Sequence, residues 1–188
     1  MHSNSNSHSV SGGMLTKHAD NEDRQPFDLY PTPPGFTRAL LDVITLPNHV
    51  WEPAAGEGSM VRVLREYGYK VRATDINSSY PVDFLSSNMR ADAIVTNPPY
   101  KLVSEFIAQG LAQSDGMLCL LLAQHHLAGK ARYNLFYGPT PPTDLIFILD
   151  KMMVYGNLSV FHHVWFVWDK SDQSGVTKFH WAFAPKEV

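Results

Sequence analysis

The stretch HVWEPAAGEGSM, residues 49–60, joins a short apolar segment to a turn that contains two glycines. Its first residues favour a β-strand, because β-branched and aromatic side chains fit a pleated surface. Gly56 and Gly58 allow backbone angles that other residues rarely adopt, and helical periodicity follows them. The stretch therefore predicts a strand, a tight turn and a helix that ends at Gly68. The residues expected on the buried side of this helix are Met60, Val63, Leu64 and Tyr67.

The segments that follow continue this alternation of strands and helices. KVRATD (70–75) predicts the next strand, and two strands joined by a helix imply parallel pairing. ADAIVT (91–96) and GMLCLLLA (116–123) are apolar enough for strands that are buried on both faces of a parallel sheet. LVSEFIAQGL (102–111), between them, has helical periodicity. The pattern predicts a doubly wound α/β fold that binds its ligands at the carboxyl ends of the strands.

Three further segments near the C-terminus complete the predicted sheet. LIFILD (145–150) has the composition of a buried strand. VFHHVWFVWDK (160–170) and KFHWAFA (178–184) are predicted to be antiparallel strands at one side of the sheet, because their link has no helical periodicity. We therefore expect a mostly parallel, seven-stranded sheet with an antiparallel C-terminal strand.

Composition indicates a single globular domain. The chain has 188 residues, of which 44% are hydrophobic, enough for one sizeable core. Residues 1–24 are polar and low in complexity, so we expect a disordered leader or an expression remnant there. Residues 25–188 are predicted to form this single domain.

Cysteine content and charge limit the classes of function. The single cysteine, Cys119, excludes a disulfide framework and predicts a reducing, cytoplasmic location. No apolar stretch approaches the roughly 18 residues that span a bilayer, so we expect no membrane association. The net charge of −3 means that any contact with nucleic acid is local rather than a bulk electrostatic effect.

The glycine turn and the acid after the next strand indicate a cofactor site. Asp75 lies 17 residues beyond Gly58 and could accept hydrogen bonds from a pair of ribose hydroxyls. Such a turn fits NAD, other nucleotides or S-adenosylmethionine. Two glycines instead of three argue against the full dinucleotide fingerprint. Glu52 would repel a pyrophosphate but tolerate a cationic methionine tail, so the pattern favours S-adenosylmethionine.

AIVTNPPYKL, residues 93–102, ends an apolar strand with two prolines. Pro98 and Pro99 have a fixed φ and no N–H, so the backbone after Asn97 is rigid and extended. An exocyclic amino group on a ring is a poor nucleophile, because its lone pair is delocalised. If the Asn97 side-chain oxygen and the Pro98 carbonyl each accept one N–H, that lone pair becomes available to a methyl donor. Tyr100 would stack on the substrate ring.

These motifs together resemble a known family. EPAAGEG (52–58), Asp75, the DF pair at 83–84 and NPPY (97–100) have the order and spacing of class I S-adenosylmethionine-dependent methyltransferases. EPxxGxG with NPPY is similar to small bacterial and phage DNA N6-adenine methyltransferases. DLYPTPPGF (28–36) resembles the segment that precedes the cofactor strand in that family. The resemblance covers roughly residues 28–184 and implies a Rossmann-like methyltransferase domain.

The resemblance also implies roles for individual residues. It implies Asn97, Pro98, Pro99 and Tyr100 as the catalytic loop, with no separate general base. The implied cofactor contacts are Tyr30, Thr32 and Pro33 near the methionine moiety, Glu52, Pro53, Ala54, Gly56 and Gly58 at its amino-acid end, Asp75 and Ile76 at the ribose, Asp83 and Phe84 at the adenine, and Asn97.

Residues 116–143 are the predicted substrate-contacting region. They contain no acidic residue, and basic side chains alternate there with aromatic ones, as suits a flipped base and its backbone. The same pattern fits an amphipathic helix with a solvated basic edge. The substrate contacts that we expect are Lys101, His125, Lys130 and Arg132. No metal site is expected, because the adjacent histidine pairs lack the i, i+4 spacing of helical ligands.

The sequence leaves the acceptor open among several planar amino groups. We expect adenine N6 of DNA, and single-stranded DNA accepted at least as well as duplex because no recognition domain supplies the energy of base flipping. Adenine in RNA and a glutamine amide of a protein present a similar nitrogen. A non-catalytic partner subunit that binds the cofactor or DNA is the alternative from another class of function.

Overall fold

The computed structural model describes residues 31–79, 81–154 and 157–185. In these ranges the helices are α1 (Pro34–Leu41), α2 (Ser59–Glu66), α3 (Val103–Gln113) and the short α4 (Lys130–Arg132). The strands are β1 (His49–Glu52), β2 (Lys70–Ala73), β3 (Ala91–Thr96), β4 (Ser114–Ala123), β5 (Asp144–Ile148), β6 (Met153–Val154), β7 (Asn157–Leu158), β8 (His163–Asp169) and β9 (Lys178–Ala182).

Seven of these strands form one sheet in the order β2-β1-β3-β4-β8-β5-β9. Strands β1 to β4 pair in parallel, whereas β8 is antiparallel to both of its neighbours. The predicted fold class, a mostly parallel seven-stranded α/β sheet with an antiparallel C-terminal strand, is confirmed, and the antiparallel strand is β8. Strands β6 and β7 form a separate hairpin.

The last two strands of the sheet run in opposite directions, as the sequence predicts, but they do not pair with each other. Strand β5 lies between them, antiparallel to β8 and parallel to β9. Burial explains this order. Four of the five residues of β5 are buried, so it requires an interior position, whereas β9 has no fully buried residue and forms an edge.

The hydrophobic core lies on both faces of the sheet. Helices α1 and α2 cover one face, where Phe36, Leu40 and Leu64 pack against alternate strand residues. Helix α3 covers the other face, where Phe106 and Ile107 meet Trp51. Burying each such side chain contributes roughly 1.5–3 kcal/mol, so the two layers hold α2 and α3 firmly against the strand ends.

Two expectations about the helices had different outcomes. Pro33 is the N-cap of α1 and Pro34 its first residue, at the helix entrance where the sequence predicts them. The predicted inward position of Tyr67 is wrong, because this side chain is 47% exposed. Tyr67 follows the last residue of α2 and begins the turn at Gly68, so the helical periodicity does not extend to it. No helix in the described ranges has the length and apolar character needed to cross a bilayer.

The strand order brings several segments together at one edge of the sheet. The carboxyl ends of β2, β1 and β3 are adjacent there, because these strands are parallel neighbours. Strand β8 is antiparallel, so its first residue, His163, pairs with the last residue of β4, Ala123. The glycine turn, the NPPY loop and the start of β8 therefore share this edge.

Candidate active site

A cleft of about 430 Å³ opens at this edge of the sheet. It contains most of the residues that the sequence singles out. The predicted residues that line it are Thr32, Glu52, Pro53, Ala54, Gly56, Asp75, Ile76, Asp83, Phe84, Asn97, Pro98, Pro99, Tyr100 and Lys101. Pro33 and Gly58 cap the adjacent helices α1 and α2 without lining the cleft. Tyr30 lies outside the described residues.

The turn after β1 depends on its two glycines. Gly56 and Gly58 have φ angles of 49° and 78°, in the left-handed region that favours glycine. The carboxylate of Asp75 accepts hydrogen bonds from the Gly56 N–H at 2.8 Å and the Asn77 N–H at 2.7 Å. Asp75 thus ties the end of β2 to the glycine turn. Its oxygens keep further lone pairs that can accept hydrogen bonds from a ligand.

Glu52 is an acidic side chain in an almost fully buried position at the end of β1. One carboxyl oxygen, Oε1, accepts a hydrogen bond from the Ala54 N–H at 3.0 Å, while Oε2 has no partner among the described residues. Burial raises the pKa of Glu52 to about 8, although the Ala54 N–H favours the carboxylate. A cation in the cleft would supply the missing partner of the carboxylate.

The charge of the cleft favours a cationic ligand. Three further acids line it besides Glu52, and Lys101 is the one Lys or Arg among the lining residues within the described ranges. These acids are Glu57, Asp75 and Asp83. A cleft with this balance attracts a cation and disfavours a pyrophosphate.

An apolar wall stands beside the acids. Phe84 is buried, and its ring contacts those of Trp51 and Phe106 at centroid distances of 5.2 and 4.8 Å. Asp83 Oδ1 accepts a hydrogen bond from the Leu85 N–H at 3.0 Å and begins a short helical turn. Ile76 is 55% exposed at the mouth of the cleft. A flat aromatic ligand can pack on such a wall.

Asn97 lines the cleft and has an unpaired acceptor. Its Nδ2 donates to the Thr32 hydroxyl at 3.1 Å, whereas its Oδ1 is buried and has no hydrogen-bond partner among the described residues. Pro98 is buried, and the Pro99 carbonyl accepts a hydrogen bond from the Leu102 N–H at 2.9 Å. The loop therefore holds an amide oxygen rigidly, where a ligand N–H could satisfy it.

Tyr100 contacts a residue to which the sequence interpretation gave no role. Its hydroxyl lies 3.2 Å from Nε2 of His163, and the two rings are tilted at a centroid distance of 6.4 Å. Burial lowers the pKa of His163 to about 4, so the imidazole is neutral near pH 7. The one feature of the sequence that could have indicated a role for His163 is the antiparallel direction of β8. This direction places the first residue of the strand at the ligand-binding edge of the sheet.

The other predicted substrate contacts lie outside the cleft lining. His125 and Lys130 are exposed and follow β4 at the same edge of the sheet. The His125 ring meets that of Phe161 at a centroid distance of 4.7 Å. Arg132 donates to the carbonyls of Ala128 and His125, so its guanidinium already has partners. Within the described ranges, no cluster of three or more His, Cys, Asp or Glu residues is placed to hold a metal ion.

Comparisons with known proteins relate the chain to others by its fold. No family model and no curated protein sequence matches it. A proposed class I S-adenosylmethionine-dependent methyltransferase from Listeria monocytogenes is similar in structure, with a TM-score of 0.55 at 14% identity over 81% of this chain and 64% of that one.

Two other solved structures are similar to the same degree. The modification subunit of a proposed type I restriction enzyme from Vibrio vulnificus has a TM-score of 0.59 at 14% identity, over 85% of this chain and 48% of that one. A proposed RNA methyltransferase from Pyrococcus horikoshii has a TM-score of 0.59 at 14% identity, over 77% of this chain and 88% of that one. The chain thus spans less than two thirds of the first two proteins. Its fold is that of the class I S-adenosylmethionine-dependent methyltransferases.

Proposed function

We propose that this protein transfers a methyl group from S-adenosylmethionine to an exocyclic amino nitrogen, with adenine N6 of DNA as the acceptor. The observation that carries the proposal is the unpaired Asn97 Oδ1, held beside two prolines in an acidic cleft. A buried acceptor without a partner is costly, so its presence points to a ligand that donates an N–H.

The cleft residues fit S-adenosylmethionine chemically. Glu52 Oε2 has no partner, and a cationic amino-acid end would supply one. The lone pairs of Asp75 suit ribose hydroxyls, and the Phe84 wall suits an adenine ring. When bound, the cofactor supplies a methyl group on a positively charged sulfur. The residues proposed to hold it are Thr32, Pro33, Glu52, Pro53, Ala54, Gly56, Gly58, Asp75, Ile76, Asp83, Phe84 and Asn97, with Tyr30 as a further prediction.

The NPPY loop would activate the acceptor amine. Asn97 Oδ1 and the Pro98 carbonyl each accept one N–H, so the nitrogen lone pair is no longer delocalised into the ring. Tyr100 would stack on the ring and hold the nitrogen in place. The methyl group that the cofactor supplies would be taken up by this nitrogen, which would then release one proton to water. No side chain needs to act as a general base.

DNA is the proposed acceptor, and RNA is the nearest alternative. The similar structures include the modification subunit of a proposed type I restriction enzyme and a proposed RNA methyltransferase. Lys101 is exposed directly after the NPPY loop, and His125 and Lys130 are exposed after β4 at the same edge of the sheet; we propose that all three contact the nucleic-acid backbone, whereas Arg132 is partly engaged by backbone carbonyls. A glutamine amide of a protein, or a non-catalytic role as a partner subunit, are further outcomes that the experiment distinguishes.

Methyl transfer from labelled S-adenosylmethionine tests the proposal. The purified chain is incubated with separate pools of duplex DNA, single-stranded DNA, RNA and protein, and each pool is digested and analysed by mass spectrometry. We expect N6-methyladenine in DNA from the wild-type chain and none from Asn97→Ala. Asn48→Ala is the matched control, because Asn48 is exposed, outside the cleft and directly before β1, at the opposite edge of the sheet.

Each outcome has a distinct meaning. Label in RNA adenine or in glutamine would keep the chemistry and replace the acceptor. No label in any pool, together with measurable cofactor binding, would reject the catalytic proposal. That result would favour a non-catalytic role as a partner subunit.

A further inference from the structure

We infer that Thr32 is a positioning residue that fixes the amide of Asn97 with its oxygen directed to the acceptor amine. This inference rests on the proposed function of the NPPY loop. The resemblance to methyltransferases implies Thr32 only as a contact near the methionine moiety. The structure gives it a second set of contacts, which connect the cofactor cleft to the reacting nitrogen.

The first contact restricts rotation of the Asn97 amide. Its Nδ2 donates to Thr32 Oγ1 at 3.1 Å. Because a hydroxyl can accept or donate, this hydrogen bond holds the planar amide in place, and the group that Oδ1 faces decides which of the two orientations is favoured. That oxygen is buried and has no partner among the described residues. Rotation of the amide by 180° would point an NH₂ group at the N–H of the acceptor, and two donors repel each other.

Thr32 is itself held rigidly. It is 6% exposed, and its carbonyl accepts a hydrogen bond from the Ser59 hydroxyl at 2.6 Å. Ser59 is the first residue of α2, directly after the glycine turn of the cofactor cleft. On the other side, Pro33 caps α1 and its carbonyl accepts from the Phe36 N–H at 2.9 Å. Because Thr32 is fixed by contacts on both sides, its hydroxyl can keep the Asn97 side chain in place.

The kinetic consequence differs from that of a cofactor contact. The amide oxygen interacts most strongly with the amine as positive charge develops on the nitrogen, so its orientation matters chiefly in the transition state. Although Thr32 also lines the cleft, its hydroxyl is engaged by Asn97 Nδ2, so loss of the hydroxyl should lower kcat and change the affinity for the cofactor much less. Substitution of a residue that only contacts the cofactor would instead weaken cofactor binding and leave kcat nearly unchanged.

Thr32→Val and Thr32→Ser test the inference as a pair. Valine has the shape of threonine without the hydroxyl, whereas serine keeps the hydroxyl. We expect Thr32→Val to lower kcat about tenfold at saturating S-adenosylmethionine, with the dissociation constant of the cofactor changed less than about threefold. Thr32→Ser should restore most of the rate. Weaker cofactor binding at an unchanged kcat would overturn the inference.

A second measurement does not depend on turnover. The side-chain NH₂ of Asn97 can be assigned in a ¹⁵N spectrum by its loss in Asn97→Asp, and its exchange with water can be measured in the cofactor-free protein. We expect slow exchange in the wild type and Thr32→Ser, and faster exchange in Thr32→Val. Unchanged exchange in Thr32→Val would refute the positioning role. Absence of methyl transfer by the wild type, with this exchange pattern intact, would instead refute the proposed function alone.

Discussion

Glu52 is a buried carboxyl group whose ionisation should couple to cofactor binding. Burial raises its pKa to about 8, so in the free protein it is largely protonated at pH 7. A cationic ligand that pairs with the carboxylate must displace that proton. Binding below pH 8 should therefore release a proton, and binding should strengthen by up to about tenfold per pH unit between pH 6 and 8.

Calorimetry checks this prediction. Titration of S-adenosylmethionine in two buffers of different ionisation enthalpy counts the protons released. Glu52→Gln, which cannot ionise, should bind more weakly with an affinity that is nearly constant over the same range. An equal pH dependence in wild type and Glu52→Gln would show that another group is responsible.

Tyr100 and His163 form a second residue pair with a testable role. Their hydroxyl and imidazole nitrogen are 3.2 Å apart, and Phe36 meets the imidazole edge-on at 6.1 Å. His163→Phe should keep the ring packing and remove the hydrogen bond, which fixes the tyrosine ring. We expect methyl transfer to fall about fivefold, the factor that corresponds to roughly 1 kcal/mol for one hydrogen bond.

A double-mutant cycle measures whether the two groups act together. Tyr100→Phe should cause a similar loss, and the double variant should be little worse than either single one. Additive losses would mean that the imidazole acts on something other than the tyrosine hydroxyl. His162→Gln, a change in the neighbouring histidine that contacts the Ile148 carbonyl, serves as the control.

At the scale of elements, the close approach of α3 to β4 depends on Gly110. A Cβ at this position would lie 2.6 Å from Cδ1 of Leu118, a side chain that is fully buried. Gly110→Ala should therefore destabilise the protein by roughly 1–3 kcal/mol through overpacking, despite the better helix propensity of alanine. Urea unfolding of the variant measures the loss.

A compensating change tests the cause of that loss. Gly110→Ala combined with Leu118→Val should cost less than the sum of the two single changes, because valine vacates the space that the new methyl group needs. Full additivity would indicate a cause other than the contact between α3 and β4.

At the scale of the whole molecule, the distribution of charge bears on the substrate. The chain carries a net charge of −3, and among the described residues Lys101 is the one Lys or Arg that lines the cleft. Extracting a base from duplex DNA costs a few kcal/mol, a cost that a single strand does not carry. We therefore predict kcat/KM for single-stranded DNA at least equal to that for duplex of the same sequence. A strict requirement for duplex would contradict the prediction.

The salt dependence of binding measures which Lys and Arg side chains contact the nucleic-acid backbone. Lys130→Ala and Lys101→Ala should each reduce the slope of log affinity for single-stranded DNA against log salt by about 0.7. Arg132→Gln should change the slope less, because its guanidinium is engaged by the Ala128 and His125 carbonyls. An unchanged slope in both lysine variants would remove them from the proposed interface.

Local patterns were sufficient for most of the fold. The strand segments, the glycine turn and the proline entrance of α1 depend on neighbouring residues, because β-branched runs, positive φ angles and fixed proline φ are local constraints. The insertion of β5 between β8 and β9 was not predictable, since strand order depends on which strand buries both faces. The prediction that Tyr67 lies on the buried side of α2 is wrong, because hydrophobic periodicity does not show at which residue a helix ends.

The sequence by itself determined the alternation of strands and helices, the glycine turn at Gly56 and Gly58, and the rigid backbone after Asn97. Only the tertiary structure decided the partners of the site. Thr32 meets Asn97 across 65 residues, and Tyr100 meets His163 across 63. The unpaired oxygens of Glu52 and Asn97 are likewise visible only in three dimensions. Such contacts arise where separate strands end at one edge of a sheet, and neither periodicity nor a local motif carries information about side chains so far apart in the chain.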